Sequence, residues 1–178
     1  MKKSILGLAV SALFVVGAAQ ATTNDVSATL SVTGTVTNAD TGCTVLLNNT
    51  AVDVTGDITT MPTQGAPAIP AKFVSMNIIG GAVCDDMLAN NKIAYKFVGT
   101  ADNADGTVLA NANTGEGAAT GVGIGLYNEK GDVINLNSGT LAAKDTPTKL
   151  GLGLVKLTGQ QAVTGTVQGS LTIQVERL

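Results

Sequence analysis

Apolar and polar residues alternate with a period of two along most of the chain, and no stretch beyond the first twenty residues carries an apolar stripe at helical spacing. Val74, Met76 and Ile78 fall on one face of the segment Phe73 to Ile79, with Ser75 and Asn77 on the other, the pattern of a strand packed on one side. Similar runs predict strands over Val26 to Val36, Thr44 to Leu47, Ala51 to Val54, Ile93 to Val98 and Val122 to Leu126. Further strands are expected over Val133 to Leu136, Leu150 to Leu157 and Val167 to Val175. Asn128-Glu129-Lys130-Gly131-Asp132 lies between two such runs and supplies the glycine that a hairpin loop needs for a positive φ. Thr60 to Pro70 holds three of the four prolines and reads as a loop or edge excursion, because proline cannot donate to a ladder. About seven short strands so spaced predict an all-β, immunoglobulin-like sandwich, with a jelly roll as the other arrangement compatible with spacing.

The first residues follow another rule. Met1-Lys2-Lys3 is basic, Ile5 to Val16 is apolar, and Ala19-Gln20-Ala21 offers the small-x-small pattern of a signal-peptidase site, so residues 1–21 read as a signal peptide cut between Ala21 and Thr22. The apolar run is too short to span a ~30 Å hydrocarbon core, so no stable membrane insertion is expected after cleavage. The remaining 157 residues suit one domain with a sizeable core. Losing Lys2 and Lys3 takes the formal net charge from −3 to −5, and with no Lys/Arg cluster to meet phosphates, nucleic acid is not an expected partner.

The chain contains no histidine, which removes Ser-His-Asp and Cys-His nucleophilic sites and every His-ligated metal site. An enzyme is disfavoured, and no cofactor or metal is expected. Gly121-Val122-Gly123-Ile124-Gly125 has the wrong glycine spacing for a phosphate loop and reads as close packing on a strand. Asp102-Asn103-Ala104-Asp105-Gly106 looks like half a calcium loop, but Asn113 stands where a bidentate Glu is required, so the segment reads as a turn. Asn48-Asn49-Thr50 matches a glycosylation sequon in form and is taken as a loop. Cys43 and Cys84, in a chain bound for an oxidising compartment, predict a disulfide; two free thiols or half a metal site are the competing readings.

Both ends of the mature chain are amphipathic strands. Val26, Ala28, Leu30 and Val32 share one face against Ser27, Thr29, Ser31 and Thr33, and Leu171, Ile173 and Val175 alternate with Thr172, Gln174 and Glu176. On pattern alone, the first is an ordinary first strand of the domain or a strand offered to a partner. An unpaired apolar edge at the second invites a partner strand.

The segment Leu30-Ser31-Val32-Thr33-Gly34-Thr35-Val36-Thr37-Asn38-Ala39 before Cys43 resembles the start of type 1 major pilins of the chaperone-usher pathway. The resemblance continues in Cys84-Asp85, in Phe97-Val98-Gly99-Thr100-Ala101 and in Ala119-Thr120-Gly121-Val122-Gly123-Ile124, and it covers essentially the whole mature chain. It implies an incomplete immunoglobulin-like β-sandwich over residues 38–178, completed by a donor strand from the neighbouring subunit, with residues 22–37 as the donor extension. Val26, Ala28, Leu30 and Val32 would fill the groove. Gly165, Leu171, Ile173 and Val175 would belong to the C-terminal groove and chaperone-binding strand. The implied partners are copies of the chain and other pilins, a periplasmic chaperone and an outer-membrane usher, and the implied place is the cell surface, reached through the periplasm. The expected role is a structural fimbrial subunit supporting cell adhesion; a minor subunit or a tip adhesin binding a host glycan is the alternative. Arg177 replaces the family's usual aromatic next to the C-terminus, and Ala28 stands where a glycine is common.

Overall fold

A computed structural model describes residues 42–178 and the backbone of residues 25–33. The Ala21–Thr22 cleavage point expected from the sequence lies outside them. The strands are β1 (Asp25–Thr33), β2 (Cys43–Leu47), β3 (Ala51–Asp57), β4 (Lys72–Gly80), β5 (Ile93–Gly99), β6 (Leu109–Ala110), β7 (Val122–Tyr127), β8 (Val133–Ile134), β9 (Thr140–Ala142), β10 (Thr148–Lys156) and β11 (Thr166–Arg177). One helix, α1 (Ala82–Ala89), joins β4 to β5. One sheet runs β3-β1-β11-β5-β9 and the other β2-β4-β10-β7-β6, with β8 paired to β7. Every named strand pair is antiparallel except β1 with β11. The architecture is all-β, an immunoglobulin-like sandwich.

The alternation in β4 does what the sequence predicts: Val74, Met76 and Ile78 are buried while Phe73 and Ile79 are exposed. They meet Val52 and Val54 of β3, Tyr95 and Phe97 of β5, Leu150, Leu152 and Leu154 of β10, and Leu171 of β11 in one continuous core. With no tryptophan in the chain, the largest fully buried rings are Tyr95, Tyr127 and Phe97.

In β7 and β10 every position but Lys149 and Lys156 is buried, so these strands are covered on both faces over most of their length. Leu150, Leu152 and Leu154 face the main core, while Gly151, Gly153 and Val155 face the other side. There Tyr127, Val108, Val155 and Leu157 form a second, smaller cluster with Ala68 and Val133 packed on it. A side chain at Gly151 would collide with Pro70, and one at Gly125 would meet the Tyr127 hydroxyl at 2.8 Å, so these glycines make the room in which ring and loop lie. The glycine run thus serves close packing on a strand, as read from the sequence.

The proline-rich stretch is a loop that takes over from β4. The β4 pairing with β10 ends at Leu152, and further along β10 the Lys156 amide donates to the Pro62 carbonyl (2.9 Å) while the Gln64 amide donates to Lys156 (2.8 Å). The β7–β8 hairpin turns through Gly131 at φ 86°, closed by the Asn128 amide on the Asp132 carbonyl at 3.0 Å.

The structure differs from the sequence expectation in several places. Eleven strands are present among the described residues rather than about seven, because β6, β8 and β9 are two or three residues long. The Val133 to Leu136 strand stops at Ile134: the Leu136 amide leaves the hairpin ladder for the Thr107 carbonyl, and Asn137 takes φ 63°. No helix was expected, yet α1 forms; only Cys84 and Leu88, one turn apart, are buried on it, too short a stripe to register as a period. Cys84 bonds to Cys43 with Cα atoms 5.5 Å apart, so the disulfide expectation holds and ties α1 to β2. No helix among the described residues is long and apolar enough to cross a membrane.

Candidate assembly groove

Between β3 and β11 lies a gap one strand wide, which β1 occupies. β1 runs antiparallel to β3, from Asp25 opposite Asp57 to Ser31 opposite Ala51, and parallel to β11, from Ser27 opposite Thr166 to Thr33 opposite Thr172. The walls are apolar on the core side: Val54, Val167 and Leu171 are almost wholly buried, and Val52 is 9% exposed. Their outward neighbours Asp53, Thr55, Gln168, Ser170 and Thr172 are exposed. The register therefore sorts β1 residue by residue. Val26 stands opposite Gly56, Ala28 between Val54 and Val167, Leu30 between Val52 and Gly169, and Val32 beside Leu171. The smallest of the four residues takes the position flanked by two valines, and the largest takes the position beside a glycine.

The floor beneath Gly169 is built from another element. A Cβ on Gly169 would meet Leu109 at 2.6 Å and Ile124 at 2.9 Å, and one on Gly99 would meet Leu109 at 2.5 Å, so Leu109 fills the space these two glycines leave. Leu109 is set by the loop before it. There the Asp102 carboxylate, 6% exposed, accepts from the amides of Ala104 (2.8 Å), Asp105 (3.0 Å) and Val108 (3.1 Å) and from Gln64 Nε2 (2.9 Å). Burial alone would raise this carboxyl, but the converging N–H groups outweigh burial and hold it below its ordinary value. The segment read as half a calcium loop is thus a turn wound on its own first aspartate.

Of the residues expected on the C-terminal strand, Leu171 and Ile173 are buried and Val175 is half-buried. The described β1 pairing ends at Thr172, so Ile173 and Val175 lie beyond it, opposite Phe97 and Tyr95 of β5. Gly165 sits apart from these three. It precedes β11, and a Cβ there would fall within 2.5 Å of backbone atoms of Gly117, Ala118 and Ala119, so it is where a loop crosses and pins the strand. The Thr166 amide donates to Gly117 (2.8 Å) and the Ala119 amide to Thr166 (3.0 Å).

Sequence reasoning missed the residues that hold the other side of β11 at this end. Asn111 Nδ2 donates to the Ala119 carbonyl (2.9 Å) and the Thr166 carbonyl (3.1 Å), while its Oδ1 accepts from the Gln168 amide (2.9 Å). The Ala112 amide donates to the Gln168 carbonyl at 2.7 Å. This segment stands in for a strand neighbour where β5 does not reach; its only signal in the sequence is the run Asn111-Ala112-Asn113.

The other shifted groups also have structural causes. Burial pushes the Tyr95 phenol up to about 12 and raises Tyr127. The hydroxyl and amide of Thr59, both 2.7 Å from Asp57 Oδ1, hold the Asp57 carboxyl down at the turn after β3. What the region holds is one extended strand between apolar walls, paired through a backbone ladder on each side.

A sandwich of this kind, with a terminal strand inserted between β3 and the last strand, defines a pilin-type fold. The family described as Fimbrial protein matches residues 30–176, and the chain belongs to that family. Over 65 residues, 34% of this chain, it is 43% identical to Long polar fimbria protein A of Salmonella typhimurium (strain LT2). That match spans 36% of the relative's length.

Proposed function

We propose that the chain is a structural subunit of a bacterial surface fimbria, which polymerises by lending the strand at residues 25–33 to the groove of a second copy. The observation that carries this reading is the register: Val26, Ala28 and Leu30 stand opposite Gly56, Val54 and Val52 of β3, and Ala28, Leu30 and Val32 stand beside Val167, Gly169 and Leu171 of β11, the core-side positions of the two walls. They do so on a segment that precedes the disulfide-closed body beginning at Cys43. Burial of a large apolar side chain contributes about 1.5 to 3 kcal/mol, and two backbone ladders fix the alignment. The family supports assembly with other pilins and a place in the fimbria. Residues 1–21 direct export, with cleavage between Ala21 and Thr22; a periplasmic chaperone keeps the slot filled before assembly, and an outer-membrane usher exchanges its strand for the next subunit's. Residues 22–37 then serve as the donor and residues 38–178 as the acceptor body, and the role is structural rather than catalytic, supporting adhesion.

The test is electron microscopy and SDS-PAGE, boiled and unboiled, of material sheared from cells that express the chain with a matching chaperone and usher. Wild type should give fibres and a heat-labile ladder. Leu30→Asp with Val32→Asp should give neither, since each carboxylate forced against the valine and leucine walls costs at least about 3 kcal/mol. Fibres from the double variant would overturn strand exchange through this segment.

A further inference from the structure

We propose that the chain carries a small-molecule site far from β1, a cavity that binds a free α-amino acid with an aliphatic side chain. The cavity lies where the β7–β8 turn, the end of β9 and the start of β10 meet, and none of its lining residues belongs to β1, β3 or β11. Its volume of about 190 Å³ is below the roughly 300–1,000 Å³ of sites for drug-sized ligands and several times the ~30 Å³ share of one water, which suits a single compact molecule. The charges around it are only partly matched by the protein. Lys149 pairs with Glu129 at 3.4 Å, but Lys130 and Lys144 have no carboxylate in ion-pair range and Asp132 has no cation in that range among the described residues. The turn holds Asp132 in place: Asn128 Nδ2 donates to its Oδ2 (2.8 Å), and Asn128 Oδ1 accepts from the amides of Lys130 (2.8 Å) and Asp132 (3.0 Å). Two unmatched ammonium groups and one unmatched carboxylate select a ligand of both signs, with a carboxylate for the lysines and an ammonium for Asp132. A plain anion would bring its charge against Asp132, and a plain amine would meet the two lysines. The wall sets the third requirement, because Leu141, half-buried and packed on the main core, lines the cavity beside Ala142 and offers an apolar face to the ligand's side chain. At the floor is Thr148, 6% exposed, whose hydroxyl lies against the buried Tyr95 phenol; neither has a hydrogen bond of good geometry, so polar capacity there is left unused. Because the lysines and Asp132 are exposed, each ion pair is weak, and the dissociation constant is on the order of 1 mM.

The experiment follows assigned amide resonances of the isotope-labelled full chain, with Cys43–Cys84 closed, during titration with L-leucine. Two analogues are run beside it: isocaproate, which lacks the ammonium, and isopentylamine, which lacks the carboxylate. In wild type, leucine should move the amides of residues 128–132 and 141–149 with saturation near 1 mM, and each analogue should bind at least about tenfold more weakly. Lys130→Met with Lys144→Met should weaken leucine about tenfold. Asp132→Asn should abolish the preference for leucine over isocaproate, which a merely structural role for Asp132 would leave intact. Equal binding of all three compounds by wild type, no saturable shift at these amides up to about 50 mM leucine, or an unchanged preference in Asp132→Asn overturns the site. The comparison of the three compounds needs no variant, so misfolding of a substituted chain does not obscure it. Since β1 takes no part in the cavity, either result leaves strand donation to its own test.

Discussion

Asp102→Asn tests how far the groove floor depends on one buried carboxylate. The two carboxylate oxygens accept four hydrogen bonds, from the amides of Ala104 and Asp105 on Oδ1 and from the Val108 amide and Gln64 Nε2 on Oδ2. An asparagine keeps one oxygen and turns the other position into a donor, so two N–H groups then face an N–H. Flipping Gln64 would not relieve this, because its Oε1 accepts from the Thr158 amide at 3.1 Å and its Nε2 also donates to Thr107. Two hydrogen bonds to a charged acceptor, each worth about 1.5 to 3 kcal/mol, are lost, giving a destabilisation of about 3 kcal/mol or more at pH 7.

The pH dependence has a fixed sign. The folded carboxyl titrates below its ordinary value of 3.8, so its stabilisation is present above that value and disappears as pH falls through the lower folded one. The gap between wild type and Asp102→Asn should therefore be full at neutral pH and shrink below about pH 4. Urea unfolding followed by circular dichroism at pH 7 and pH 3, with the disulfide intact, measures both. A difference under about 0.5 kcal/mol at pH 7, or a gap of equal size at both pH values, would refute the account.

Two further variants probe the body of the sandwich. Gly165→Ala should destabilise by about 1 to 3 kcal/mol, because the added methyl meets backbone at Gly117, Ala118 and Ala119 and not a side chain that can swing away; thermal melts unchanged from wild type would contradict this. Replacing Cys43 and Cys84 together by alanine reopens a loop with a sequence separation of 41 residues and should lower stability by about 2 to 4 kcal/mol; a urea midpoint within error of wild type would show that the unfolded chain is not constrained by the bridge.

Legibility in the sequence followed from whether an element expresses its contacts as a period. β4, β7, β10 and β11 do, since their core-facing residues recur every second position, and the sequence reading locates all four. α1 does not, because its burial rests on Cys84 and Leu88 alone, and Cys84 is held there by a covalent bond to β2. β6, with two residues, and β9, with three, are too short to show any period. At Gly165 a Cβ would meet the backbone of residues 117–119, a contact between distant segments that no local pattern encodes. The Asn111 contacts with the Thr166 and Gln168 backbone are of the same kind.

The N-terminal strand is the case where period was informative and still insufficient. Alternation from Val26 to Val32 is the same whether the segment closes its own sandwich or another's, because a ladder reads backbone groups and a face, not chain identity. What separates the two uses is energetic. The cis strand carries the advantage of its tether but must give up β3 and β11 together before it can serve elsewhere, and those two are the strands it pairs with among the described residues. The core beneath is closed by other means: Leu109 fills the space above Gly169 and Gly99, and the disulfide joins β2 to α1. A segment paired along its length yet outside every other named strand pairing can leave without opening any of them, which is the property the proposed donor role requires.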